Sequence, residues 1–200
     1  MSENPHKPVE ICRCEEYLTL AFSPSSVPVR SRWRNNGLSA DFLGDYVTTF
    51  LPREEPASTF EGRQKALKHA VSFVANELLE NAMKYHQRDG DIPILMHLEL
   101  SSDQVTVSVS NGASTNQTEK YQTFVARSRA GNADEMLLAQ QEESALNSEA
   151  SVSSVGLLTM ITDYSAQLDW RFEPHSAQPD SVTVTTIAVL PLREVTGASA

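Results

Sequence analysis

Residues 60–87 contain no proline and, after Gly62, no glycine, and no other run constrains the fold of this chain as strongly. Thr59 is positioned to cap a helix at its start, and Asp89-Gly90-Asp91 ends it. On a wheel of about 100° per residue with Glu77 as origin, Asn81 falls near about 40° and Lys84 near about −20°. Leu67, Val71, Val74, Leu78 and Tyr85 fall between roughly 60° and 120° on the same wheel. The apolar stripe that must meet a core is therefore flush with a polar seam of Glu77, Asn81 and Lys84. Half-burying a carboxylate and a carboxamide costs free energy unless each finds a partner. Two resolutions are open from spacing alone. Glu77 satisfies Asn81 or Lys84 along the helix, or the seam faces a ligand: Asn81 offers its carbonyl oxygen to a Mg²⁺ and Glu77 orients or deprotonates a hydroxyl.

Around this helix the chain reads as strands in hairpins. Residues 9–22 read as a strand, and Pro24 and Pro28 break it. A short strand is expected near Val29–Trp33. Asn35-Asn36-Gly37 marks a turn, and Ser39 caps a helix over 40–51 that Pro52 stops. Strands at 92–101 and 104–110 flank Ser102-Asp103 as an antiparallel hairpin. A short helix over 154–163 precedes strands at 166–173 and 181–190. This order predicts an α+β domain, a two-layer α/β sandwich with helices on one face of a mixed sheet. Residues 1–8 read as a disordered N-terminus, 9–192 as a single domain and 193–200 as a loose tail. Residues 112–151, rich in Ser, Asn, Gln, Glu and Ala, read as a helical lid or as a solvated helical pair.

Composition removes several classes. With 40% apolar and 21% charged residues the chain is ordinary globular protein, and its net charge of −10 argues against nucleic-acid partners and anionic membrane surfaces. There is no apolar run long enough to span a bilayer and no signal-peptide pattern at Met1-Ser2-Glu3, so a cytoplasmic location is expected. Cys12 and Cys14 are too few for a closed zinc site, and two thiols packed on a sheet face is their plainer reading. Trp33 and Trp170 read as packing residues, and His86, near about 180° on the wheel, as a surface residue. No Gly-x-Ser-x-Gly motif or metal-ligand spacing supports a metabolic enzyme.

The run Glu77-Leu-Leu-Glu-Asn81-Ala-Met-Lys84-Tyr85 resembles the N box of GHKL proteins, the superfamily of histidine kinases, gyrase, Hsp90 and anti-sigma serine kinases. The resemblance implies the GHKL (Bergerat) sandwich, ATP and Mg²⁺ as cofactors, Glu77 as catalytic base, Asn81 as metal ligand and Lys84 near the phosphates. Ser110-Asn111-Gly112-Ala113-Ser114 is similar to the position of the G1 box, and Ser154-Val155-Gly156-Leu157 resembles the G2 box. Glycine at a helix start lets backbone N–H groups approach phosphate. On that resemblance Asn111, Gly112, Gly156 and Leu157 join Asn81 and Lys84 as nucleotide-binding residues.

Both boxes depart from the family pattern. Ser110 stands where an aspartate normally accepts from the adenine amine, leaving the adjacent Asn111 carboxamide as a neutral, weaker acceptor. Ser114 and Ser154 replace box glycines. Together with GLLTMITDYSA, these departures resemble the cyanobacterial SiaB-like branch of ATP-binding regulators, related to anti-sigma serine kinases. That branch implies a serine/threonine protein kinase acting on a STAS-like or SiaC-like partner in partner switching, with homodimers among its assemblies. The alternative is a binding module that keeps the fold without turning over ATP.

Overall fold

Strict alternation builds the sheet. In a computed structural model of the chain, Ile94, Met96, Leu98 and Leu100 are buried on one side of a strand, whereas Leu95, His97 and Glu99 point to the other. The structure describes residues 16–23, 33–51, 56–87, 92–131, 135–139, 153–175 and 180–197. In chain order the elements are β1 (Glu16–Phe22), α1 (Trp33–Thr48), α2 (Ala57–Tyr85), β2 (Ile94–Leu100), β3 (Gln104–Ser114) and α3 (Thr115–Ala130). After a helical run at 135–139 come α4 (Ser153–Tyr164), β4 (Gln167–Pro174), β5 (Ser181–Pro191) and α5 (Leu192–Thr196). The fold is α+β.

The five strands lie in the order β1-β2-β3-β5-β4, and every neighbouring pair is antiparallel. The mixed sheet expected from the sequence is not what forms. β3 and β4 do run parallel, but β5 turns back from β4 and inserts between them, so no parallel pair is adjacent. Both expected hairpins are present. The β2–β3 turn is closed by Ser101 N–H donating to Gln104 O at 2.9 Å, and the β4–β5 turn by His175 N–H donating to Ser181 O at 3.0 Å.

One face of the sheet meets the helices. Val105, Val107 and Val109 of β3 and Ala188 and Leu190 of β5 share a core with Leu67, Val71, Val74 and Leu78 of α2 and Leu43 and Val47 of α1. Burying each such Leu or Val contributes about 1.5–3 kcal/mol, so α2 is the main fixture of the domain. On the opposite face, at the β1–β2 end, Thr19 Oγ1 and His97 Nδ1 are 2.7 Å apart across the strands, and His97 Nε2 lies 3.0 Å from Glu99 Oε1. Tyr17 stands exposed beside them.

Several boundaries differ from expectation, each for a tertiary or capping reason. α1 starts at Trp33 and runs through Asn35-Asn36-Gly37; residues 29–32 of the expected strand lie outside the described residues. Asn36 is only 1% exposed and donates from Nδ2 to Met83 Sδ of α2, so packing overrides the turn propensity of the Asn-Gly pair. α2 begins at Ala57, not after Thr59, because the Pro56 carbonyl accepts from Thr59 and Phe60 N–H, both at 3.0 Å. Proline's preset backbone angle suits a helix start. At the other end, residues 193–196 of the expected loose tail are helical, in an element that starts at Leu192: Leu192 N–H donates to Asp103 O at 2.8 Å, Val195 packs against the core, and Gly197 closes the turn at φ 63°. The strand expected at 9–22 is described only from Glu16, and Cys12, Cys14 and residues 1–8 lie outside the described residues.

α1 and α2 cross closely at Gly44. A Cβ there would meet Ser72 Oγ and lie 2.8 Å from the Lys68 backbone oxygen, which cannot swing away. Gly44→Ala is therefore expected to lower unfolding free energy by about 1–3 kcal/mol in urea denaturation. An unchanged midpoint and slope would mean that the helices do not approach as described.

Candidate functional site

The polar seam of α2 divides between two environments. Glu77 is half-buried and faces α4, where Gly156 gives its carboxylate room. A Cβ on Gly156 would collide with Glu77 Oε2 and lie 2.6 Å from Cδ, so a side chain at 156 would displace the Glu77 carboxylate from its place against α4. The G2-like segment and the start of the N-box-like segment thus meet directly. Leu157, next to Gly156, is 1% exposed and belongs to the core.

One turn further along, Asn81 is buried and lines a small cavity of about 20 Å³ together with Asn111 of β3. Leu78, Ala82 and Tyr85 of α2 form one wall, and Val109, Ala113, Val184 and Thr186 of the sheet form another. Gln117, Thr118 and Tyr121 of α3 close it. The strand explains why Asn111 is there: β3 continues through Ser114 rather than ending at 110, and alternation along it puts Val109, Asn111 and Ala113 on the inner face. Asn111 Nδ2 also donates to its neighbour's carbonyl, Gly112 O, at 3.3 Å.

Gly112 itself faces the other way. A Cβ there would press on Ile92 Cδ1 at 2.8 Å, and the Gly112 carbonyl accepts from Gln87 N–H at 2.8 Å. Lys84 is exposed, with Nζ 5.5 Å from the Tyr85 ring centroid. Among the described residues no ion pair joins it to Glu77. Glu80, also on α2, instead accepts from Asn76 Nδ2 at 2.9 Å. The structure therefore brings together Glu77 with Gly156 and Asn81 with Asn111, and leaves Gly112 and Lys84 off the cavity.

Tyr85 and Tyr121 of an aromatic cluster line the cavity, with Trp170 and Phe172 packed behind Tyr121, and sequence reasoning missed this cluster. Trp170 Nε1 donates to Tyr121 Oη at 3.1 Å, which leaves the phenol proton available to Thr186 Oγ1 at 3.3 Å. Tyr85 lies 5.7 Å from Tyr121 by ring centroids, and Trp170 and Phe172 meet Tyr121 edge-on at 6.5 and 6.4 Å. Burial pushes the Tyr121 phenol up, against the opposing pull of its two hydrogen bonds. A signal existed on β5, where Thr186 interrupts the inward apolar positions Val184, Ala188 and Leu190. Trp170 is a packing residue as expected, at 7% exposure.

Electrostatics distinguish Glu77 from an ordinary surface acid. Burial, reinforced by the nearby Glu80 carboxylate, holds its pKa above the usual carboxylate range. His86, expected on the surface, is instead buried at the end of α2, and neither ring nitrogen has a hydrogen-bond partner among the described residues. His86 keeps its wheel angle of about 180°, but that side of α2 is covered: Ala75 at about 160° and Leu79 at about 200° are buried, and α1 packs there through Gly44 on Lys68 and Ser72. Burial lowers its pKa.

The oxygen donors of Asn81 and Glu77 suit a hard cation such as Mg²⁺, which keeps waters and phosphates as further ligands. Among the described residues no group of three or more His, Cys, Asp or Glu could hold a metal alone. Nor is any described helix long and apolar enough to cross a membrane. No protein-family model matches the chain, and a search of curated proteins gives no match.

Two titration experiments follow. A carboxyl with a raised folded pKa binds its proton more tightly folded than unfolded. Its contribution to stability is full at low pH and is lost as pH rises through the folded value. Glu77→Gln is thus expected to raise Tm at pH 7, with the gain shrinking toward about pH 4; an equal gain at both pH values would contradict the raised pKa. For His86 the sign is opposite. With the folded pKa depressed, stability is present above its ordinary value of about 6.5 and falls as pH drops below it. His86→Phe should flatten that part of the stability profile, and an unaltered slope would show that His86 is not its source.

Proposed function

We propose that this chain is a nucleotide-dependent regulator of the GHKL type, acting as a Mg²⁺-dependent serine/threonine protein kinase on a STAS-like or SiaC-like partner. The observation that carries this reading is the convergence of three distant segments on one end of α2. Glu77 packs on Gly156, and Asn81 shares a cavity with Asn111. Each of these residues belongs to a stretch that resembles a GHKL box, and the boxes are separated by tens of residues in the chain.

The roles follow from chemistry. ATP with Mg²⁺ would supply the phosphoryl group and neutralise its charge, with the Asn81 side-chain oxygen as the protein's metal ligand. Glu77 accepts the proton of the partner's hydroxyl, and a carboxylate whose pKa is raised toward neutrality is a better base for that task. The α4 N-terminal turn at Gly156 presents backbone N–H groups near the same end. The donor set fits the metal and phosphate end. The base end does not admit a purine as it stands, since the cavity beside Asn111 is about 20 Å³. That closure favours a second reading, a regulator that binds its partner without turning over ATP.

Incubation with labelled ATP and a STAS-like partner separates the two. The kinase reading expects Mg²⁺-dependent transfer that drops by about a hundredfold or more in Glu77→Ala and Asn81→Ala. Transfer that survives both substitutions removes the assigned roles. Capture of the partner with neither transfer nor calorimetric ATP binding supports the binding module.

A further inference from the structure

We propose that Tyr121 is a plug: its ring fills the base end of the Asn81–Asn111 cavity, and α3 must withdraw it before a nucleobase can enter. This rests on the reading of that cavity as one end of a nucleotide site. A space of about 20 Å³ holds about one water molecule, whereas pockets for ligands of nucleotide size run to several hundred Å³. One wall has to move.

Only α3 is built to do so. The α2 wall belongs to the central helix, and the β3 and β5 walls are interior strands paired on both sides. α3 instead turns Thr115, Glu119, Gln122, Thr123 and Arg127 to solvent and attaches through Tyr121, Phe124 and Val125. Elements with few apolar anchors open at lower free energy than core elements. It starts directly from β3, where Ser114 and Gln117 form a reciprocal cap, so rotation about this junction swings Tyr121 without breaking a strand pair.

The latch is also of a releasable kind. Tyr121 is held by two neutral hydrogen bonds, from Trp170 Nε1 at 3.1 Å and with Thr186 Oγ1 at 3.3 Å. No charge is stranded when they part. The ring contacts with Tyr85, Trp170 and Phe172 define an aromatic slot. Such a slot accepts another planar ring once the phenol leaves, because apolar ring-sized voids bind aromatic molecules. A closed state also lowers apparent affinity by the fraction of molecules that are open. The plug thus sets how readily the site loads.

Trp170 reports on the plug directly. In a Trp33→Phe background it is the sole tryptophan. Mg²⁺–ATP is expected to shift its emission and to speed amide exchange in α3 relative to α2 and β3. Tyr121→Ala is expected to bind free adenine, measured by calorimetry, at least about tenfold more tightly than the wild type. Adenine binding by Tyr121→Ala without Mg²⁺–ATP binding would uphold the plug while removing the nucleotide reading. Wild-type binding of Mg²⁺–ATP with Trp170 emission and α3 exchange unchanged would overturn the plug and leave that reading intact. A Tyr121→Ala chain that is folded by circular dichroism yet gains no affinity for adenine also overturns it. Should Tyr121→Ala fail to fold, Tyr121→Phe decides: it keeps the ring, loses both hydrogen bonds, and must raise α3 exchange above the wild-type rate. Exchange in α3 as slow as in α2, in both wild type and Tyr121→Phe, overturns the proposal.

Discussion

The contact between α2 and the inner face of the sheet governs the rest of the structure. Leu67, Val71, Val74 and Leu78 are each no more than 1% exposed and press on a β-branched wall from β3. At about 1.5 Å per residue the helix is long enough to carry its buried face on past Leu78 to Asn81, Ala82 and Met83. Its C-terminal turns therefore lie where strand ends, α3 and α4 gather. A helix that ended at Leu78 would bury the same four apolar residues but would not carry Asn81 into the cavity it shares with Asn111.

Placing polar groups against that apolar face has a cost. Asn81 is buried among Leu78, Ala82 and Val109, beside a second carboxamide on β3. Glu77 keeps partial access to water, and burial together with Glu80 makes its ionised form less favourable. Neither arrangement improves a hydrophobic core. The two groups sit one helical turn apart. The aromatic cluster around Tyr121 supplies the opposite environment at the same site, an apolar slot beside the polar donors.

The sheet order contributes as much as the helix. Because β5 inserts between β3 and β4, Thr186 becomes the cross-strand partner of both Val109 and Trp170. That places a hydroxyl and an indole N–H within reach of one phenol on α3. Had β3 and β4 paired directly, Trp170 would lie one strand nearer and Thr186 at an edge. The all-antiparallel arrangement, which differs from the mixed sheet anticipated, is thus also what assembles the wall of the cavity.

The sequence by itself determined the elements whose signal is local. The proline-free run with a 3.6-residue apolar stripe specified α2, alternation specified β2 and β3, and Ser102-Asp103 specified the turn between them. The seam of Glu77 and Asn81 was legible as polar residues beside a buried stripe, whereas only the resemblance to the GHKL boxes linked Asn111 and Gly156 to it. Tertiary structure decided what local periodicity cannot encode. The burial of Asn36 against Met83 extended α1 through a turn signal, and pairing with β5 carried β3 past Asn111-Gly112. The packing of α1 on the far side of α2 put His86 inside the protein. Gly112 turned toward Ile92 and Tyr121 into the cavity for the same reason. A repeat in the chain says which side of an element is apolar, but which atoms fill the space beyond that side depends on segments far away in sequence. The polar seam is a local fact, and the plug that covers it is a long-range one.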